Sequence, residues 1–262
     1  MNRRDFIKHG SLITTGGLLS ASLGCTPFHD FMMSRLSPDQ VDGLTLWLKA
    51  DAGVTQSVGL VSHWADQSGN GNHAKKDPDI TFAPPGYNSA GLNGQPTLTF
   101  DGTQHLIGTM PYSSKTMTII TVHSLTAGTT GWQSIIGKEA YFLLGVRASH
   151  AMALYGGHPT NWNNGINIQS GYILTYGKNY IHSAVHNATK FYVYANQEEV
   201  FQYYDPGIGN SFNGYYLGDS GAGHFWQGNI AEAIIYNRNL SDRERIGVES
   251  YLSEKYSIPL FT

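Results

Sequence analysis

The sequence predicts an all-β fold, a sandwich of antiparallel sheets followed by one helix near the C-terminus. Three observations carry this expectation. From residue 43 onward the dominant pattern is strict alternation over short runs, the period of a half-buried strand. The runs are bounded by Gly, Asn, Pro or Ser, and no helical stretch is interleaved with them. The composition, 40% hydrophobic and 13% charged with 31 glycines and 16 tyrosines, excludes a disordered chain and suits a β-sandwich with long loops.

The N-terminus reads as an address. Arg3-Arg4-Asp5-Phe6-Ile7-Lys8 precedes the weakly apolar stretch Ser11–Leu19 and the small residues Ser20-Ala21-Ser22-Leu23-Gly24-Cys25. This order of charged region, apolar region and processing site is that of a secretory signal. The Arg-Arg-x-Phe-x-Lys spacing closely resembles bacterial twin-arginine signals, which implies export of a folded protein. The run is too short and too rich in Gly, Ser and Thr to span about 30 Å of hydrocarbon. Cys25 is the only cysteine, so an internal disulfide is excluded. Ala21–Cys25 resembles a lipobox, with Ser22 where leucine is usual, making Cys25 the candidate lipidation site; cleavage near Ala21-Ser22 is the alternative. Residues 1–25 are thus expected to be the signal, and residues 26–42 a tether.

The domain is expected over 43–262. Leu44, Leu46 and Leu48 alternate with Thr45, Trp47 and Lys49; similar alternation marks 117–122, 180–185 and 190–195. Further strands are expected at 97–100, 134–136, 141–146, 152–155, 199–203, 214–217 and 230–236. Ser241-Asp242-Arg243-Glu244 is a capping box opening a helix. Val248, Leu252 and Tyr256 form its apolar stripe, Arg245 and Glu249 can pair at i,i+4, and Pro259 marks its end.

Three segments resemble the laminin-G-like, concanavalin A-like jelly-roll superfamily in its bacterial branch. They are Leu46–Val54 with Trp64–Ala74, the strand Gly94–Thr103 containing Phe100-Asp101-Gly102, and the block Trp226–Ser241. The resemblance covers most of 43–257 and implies a two-sheet antiparallel jelly-roll sandwich with a short C-terminal helix. It says little of function, because that superfamily holds lectins, adhesion modules, glycosidases and lyases.

Candidate chemistry follows from residue types. The net charge of −3, without a basic stripe, argues against nucleic acid as a partner. The strand motif Glu-x-Asp-x-x-Glu of glycosidases of this fold is missing, and Glu198 and Glu199 point to opposite faces. His182 and His186 have zinc-helix spacing, yet in a strand they stand roughly 13 Å apart, so they are expected on the less buried face without metal. Gly218-Asp219-Ser220-Gly221 resembles the nucleophile turn of chymotrypsin-like proteases but has no matching histidine segment. Asp66, Asn70 and Asp101 are candidate calcium ligands, as oxygen donors in glycine-bearing turns. Trp162 between Asn161 and Asn163 can stack on a sugar while the amides bond its hydroxyls, and Trp132 and Trp226 lie in similar contexts. Trp47 and Trp64 read as structural.

The resulting expectation is an exported, non-catalytic, carbohydrate-binding module of the bacterial cell envelope, its partner a polysaccharide or an envelope protein. The alternatives are a protein-interaction or adhesion module and, third, a polysaccharide-degrading enzyme of the same fold. Contact with membrane is expected only through a lipid on Cys25.

Overall fold

The computed structural model describes residues 35–128, 131–147, 151–156, 166–204 and 211–260, with backbone alone at 155, 156, 166–170 and 204. The expected signal, Cys25, and the Asn161-Trp162-Asn163 loop lie outside these residues. Every strand pair is antiparallel, and the strands form one continuous hydrogen-bonded network folded into a β-sandwich.

One layer is built on β17 (Gln227–Tyr236), β8 (Met117–Leu125), β13 (Asn179–His186), β14 (Lys190–Ala195) and β15 (Glu198–Tyr204). The far edge of β17 is shared, its first half pairing with β6 (Gln95–Asp101) and its second with β1 (Leu44–Lys49). The strand β5 (Gly86–Leu92) lies outside β6. The other layer runs β4 (Ala74–Lys76), β7 (Leu106–Tyr112), β16 (Phe212–Leu217), β9 (Trp132–Lys138), β10 (Phe142–Arg147), β11 (Ala151–Gly156) and β12 (Ile166–Ile173). The strands β3 (Leu60–Trp64) and β2 (Val54–Ser57) extend it beyond β4.

Alternation assigns the faces. Leu46, Leu48, Ile119, Tyr180, Ala184, Val193 and Ile235 point between the layers with Trp64, Phe100 and Trp226. Their neighbours Trp47, Ile120, Val122, Ile181 and Ile234 form a second apolar face under helix α1 (Asp242–Tyr256), which contributes Val248, Leu252 and Tyr256. Hence β8 is buried at all nine positions, as a strand covered on both faces must be. The capping box forms as its sequence predicts: Glu244 N–H donates to Ser241 Oγ at 3.4 Å, and Ser241 N–H donates to Glu244 Oε2 at 2.9 Å. Arg245 pairs with Glu249 at 2.8 Å, and Ser257, in the left-handed conformation, ends the helix two residues before Pro259.

Residues 35–42, read from sequence as the end of a tether, are packed on the sandwich. Leu36 N–H donates to Gly247 O at 3.0 Å, Tyr236 OH donates to Pro38 O at 3.0 Å, and Val41 is buried beside the helix. His182 and His186 differ from expectation in the opposite sense. Both point inward and are fully buried. Because α1 covers the outer face of β13, neither face of that strand is exposed, and the alternation carried no polar marker to orient it.

Candidate functional site

An aromatic strip runs along β9 in the second layer. The β16–β17 connection lies against this strand: Gly218 N–H donates to Ile135 O at 2.8 Å, Ser134 N–H to His224 O at 2.7 Å, and Glu139 N–H to Ser220 O at 2.6 Å. Gly218 makes this course possible. Its φ is +80°, and a Cβ there would lie 2.3 Å from the Phe100 ring. Asp219 Oδ1 then accepts His224 N–H at 2.7 Å and closes the loop on itself.

The loop places His224 beside Trp132, with ring centroids 6.2 Å apart, and the Arg147 guanidinium 5.4 Å from the Trp132 ring. Phe225 follows, stacked parallel to His105 at 5.9 Å, and Phe82 packs against both rings. Tyr216 meets His105 edge-on at 5.4 Å, and the Lys138 ammonium sits 5.3 Å from the Tyr216 ring. Trp132, His224, Phe225, Phe82 and Tyr216 are all half-buried. Packing therefore fixes them while part of each stays accessible. Burial, together with the nearby Asp77, Asp219 and Glu139 carboxylates, holds the Tyr216 hydroxyl above its ordinary range, so it remains protonated and can donate. Burial lowers His224, against the pull of Asp219 and Glu139. Its ring is neutral at pH 7 and offers one donor and one acceptor.

Beneath the strip sits His105, only 3% exposed. Its Nε2 lies 2.8 Å from Asp77 Oδ2 and its Nδ1 3.7 Å from Asp219 Oδ2. The ring, on the β6–β7 connection, hydrogen-bonds Asp77 of the β4–β5 connection and stacks on Phe225 of the β16–β17 connection, while its Nδ1 makes no hydrogen bond. No spacing in the sequence announces the three partners. Trp132, in a turn-rich context, was the sign of the strip legible in the sequence.

Of the sequence-predicted binding residues, Trp132 is in the strip. Trp226 is not: it is fully buried, edge-on to His123 at 5.4 Å, and its backbone is pinned to Gly218 O at 2.8 Å. It is a core residue and cannot stack on a ligand. The calcium candidates also serve other ends. Asp66 Oδ1 accepts the N–H groups of Trp47 and Ser68 at 2.9 Å, and Oδ2 accepts Ser68 Oγ–H at 2.7 Å and Asn72 N–H at 3.0 Å. These four bonds use the acceptor capacity of the carboxylate. Asn70 donates to Leu44 O at 2.9 Å, and Asp101 Oδ1, in a different turn, accepts both donors of Thr103. Among the described residues no three His, Cys, Asp or Glu side chains gather as for a metal. The Asp66 turn does not fit a calcium ion.

Ser220 Oγ lies 2.8 Å from His224 Nδ1, a nucleophile–base distance. The serine is 1% exposed, however, and Asp219 holds the backbone of His224 rather than its ring. The pair fixes the loop, and among the described residues no carboxylate is hydrogen-bonded to the imidazole. The buried Glu232 is likewise structural. Its carboxylate accepts Trp47 Nε1–H at 2.7 Å, Lys255 Nζ–H at 2.6 Å and Tyr256 OH at 3.0 Å.

No protein-family model matches this chain, and no curated protein does. Solved structures do share its fold. Domain 4 of AbnA, a GH43 extracellular arabinanase from Geobacillus stearothermophilus solved with arabinotriose, superposes with a TM-score of 0.58 at 15% identity, covering 81% of this chain and 98% of that one. The binding domain of Paraclostridial Mosquitocidal Protein 1 gives 0.59 at 12% identity over 82% of this chain and 52% of that one. A botulinum neurotoxin type C structure, whose cell entry depends on two ganglioside molecules, gives 0.56 at 12% over 80% and 51%. This chain thus spans nearly all of the first and about half of the other two. At these identities the likeness establishes the β-sandwich fold.

Proposed function

We propose that this chain is a non-catalytic glycan-binding module, with the Trp132–His224–Phe225–Phe82–Tyr216 strip as its binding surface. The observation that carries the reading is the gathering of five half-buried rings from four separate segments: Phe225, Phe82 and Tyr216 around the buried His105, and Trp132 against His224 of the same loop. A row of fixed aromatic faces suits the apolar faces of successive sugar rings, at little ordering cost on binding. His224, Tyr216 and Lys138 line the row with donors for hydroxyls. The engaged states of Glu232, Asp219 and Ser220 favour recognition over cleavage. The solved structures with arabinotriose and the ganglioside-dependent toxin support sugar as the ligand class. The N-terminal motif supports export by the twin-arginine route to the cell envelope, with a lipid on Cys25 as the anchor.

Binding of the purified domain to a polysaccharide array tests the surface. Trp132→Ala and Phe225→Ala should each lower retention at least tenfold while leaving the circular dichroism spectrum unchanged. Undiminished binding by both variants would refute the strip. Release of reducing ends from any bound polymer would refute the non-catalytic reading. Mass spectrometry of the mature N-terminus checks the acylation of Cys25.

A further inference from the structure

On the other layer, between β14–β15 and the start of α1, lies a depression of about 390 Å³ lined by Val185, Asn187, Tyr192, Tyr194, Glu199 and Asn239, with Asp242 at its margin. The volume falls within the range of small-ligand sites, roughly 300–1,000 Å³. Tyr192 and Tyr194 share one face of β14, about 7 Å apart along the strand, and both are half-buried. Val185 pairs with Tyr192 across β13–β14, and Glu199 pairs with Tyr194 across β14–β15.

The surroundings hold this surface in place. The Arg245 guanidinium lies 3.6 Å from the centroid of the Tyr194 ring and backs one face of it. Arg245 is held in turn by Glu249 at 2.8 Å and Asp242 at 3.3 Å, so its charge is matched. Asn187 is fixed by its Oδ1, which accepts the N–H groups of Thr189 at 3.1 Å and Lys190 at 2.9 Å. Burial raises the Tyr194 hydroxyl to about 12, with Asp242 and Glu199 adding to the effect, so it stays a donor.

We propose that this depression is a second glycan site, selective for neutral sugar units, on the layer opposite the Trp132 strip. The two tyrosine rings supply the stacking surface. Asn187, whose Oδ1 is already engaged, supplies its amide donors, Asn239 supplies donors and an acceptor, and Glu199 supplies an acceptor for hydroxyl hydrogens. A hydroxylated neutral ring satisfies each of these. A uronate or sialate brings a carboxylate against Glu199 and Asp242 and is rejected. The site rests on the reading of the chain as a glycan binder but uses none of the strip's residues. Two sites on opposite layers make one copy of the chain bivalent toward a polymer.

The test is NMR titration of the domain with neutral oligosaccharides (arabinan, xylan, mannan and glucan fragments) and with polygalacturonate fragments. A neutral fragment should shift the Tyr192 and Tyr194 signals equally in the parent and in Trp132→Ala, and polygalacturonate should leave them unmoved. Tyr192→Ala should weaken that response at least fivefold, and Glu199→Gln, at an exposed position, should weaken it measurably. Tyrosine signals unmoved by every neutral fragment, or moved more by polygalacturonate, would overturn the second site whatever the strip does. Shifts here without binding at the strip would sink the strip and leave this site standing.

Discussion

His123 and His182 stack between the two layers with centroids 4.8 Å apart, and Nε2 of the first lies 3.0 Å from Nδ1 of the second. Thr121 Oγ1 completes the chain at 3.1 Å from His123 Nδ1. Burial lowers His123 to about 3, and burial followed by the neighbouring ring lowers His182 well below its ordinary value. Both rings are neutral in the folded protein and titrate near 6.5 when unfolded.

The unfolded chain therefore binds more protons at mildly acidic pH, and folding stability is lost as pH falls below about 6.5 toward the folded values. The slope reaches about 1.4 kcal/mol per pH unit for each histidine. Urea denaturation at pH 7.5, 6.0 and 5.0 should show the midpoint falling steadily. A midpoint constant over that range would show that the pair is protonated in the fold.

Glu232 is fully buried, and burial raises its carboxyl above the ordinary range against the pull of Lys255, Trp47 and Tyr256. Glu232→Ala leaves Lys255 with Asp51 alone, at 3.0 Å, and strands the Trp47 Nε1 and Tyr256 hydroxyl donors, and should cost about 3–5 kcal/mol in chemical denaturation. Glu232→Met with Lys255→Met should lose less than the two single losses summed, because the pair leaves together. Strict additivity would show that the two do not interact.

Two tryptophans should separate cleanly. Trp226→Ala opens a void in the core and should cost about 3–5 kcal/mol. Trp132→Ala, at a half-buried position, should lower stability less while lowering retention on polysaccharide at least tenfold. Equal thermal losses would place Trp132 in the core with Trp226.

Gly218→Ala imposes a Cβ on the Phe100 ring at a left-handed position. It should destabilise the fold by about 1–3 kcal/mol and displace His224 and Phe225. Loss of glycan retention at a temperature where the variant is still folded is the expected readout. Full retention would show that the loop tolerates a different course.

Chelation with EDTA should leave the melting temperature unchanged, because the Asp66 oxygens already accept four protein donors. A drop in melting temperature that added calcium reverses would contradict this assignment.

The sequence revealed what local chemistry encodes. The capping box at Ser241–Glu244 and the Val248–Leu252–Tyr256 stripe marked α1, and alternation marked β1, β8, β13 and β14. The strand β7 was hidden by Gly108 and Pro111, and β5 by its exposed small residues. Trp226 read as a loop residue because glycines and His224 precede it, while its burial comes from long-range packing against His123 and the rest of the core. The strip depends on His105 meeting Asp77 and Asp219, contacts across 28 and 114 positions that no local pattern carries. Tyr192 and Tyr194 were legible as strand residues but not as one wall of a depression, whose other wall comes from β13 and the approach to α1.

The pairing of β1 with β17, where Leu48 faces Ala233, also sets a timetable. The first of the described strands has the last of them as its hydrogen-bonding neighbour. The slab formed by Trp47, Ile120, Val122 and Ile181 stays bare until α1 has been synthesised. Closing contacts of such long range is slow, and the uncovered slab is adhesive while it waits. A chain cut before residue 242 keeps that slab exposed and should clump on refolding.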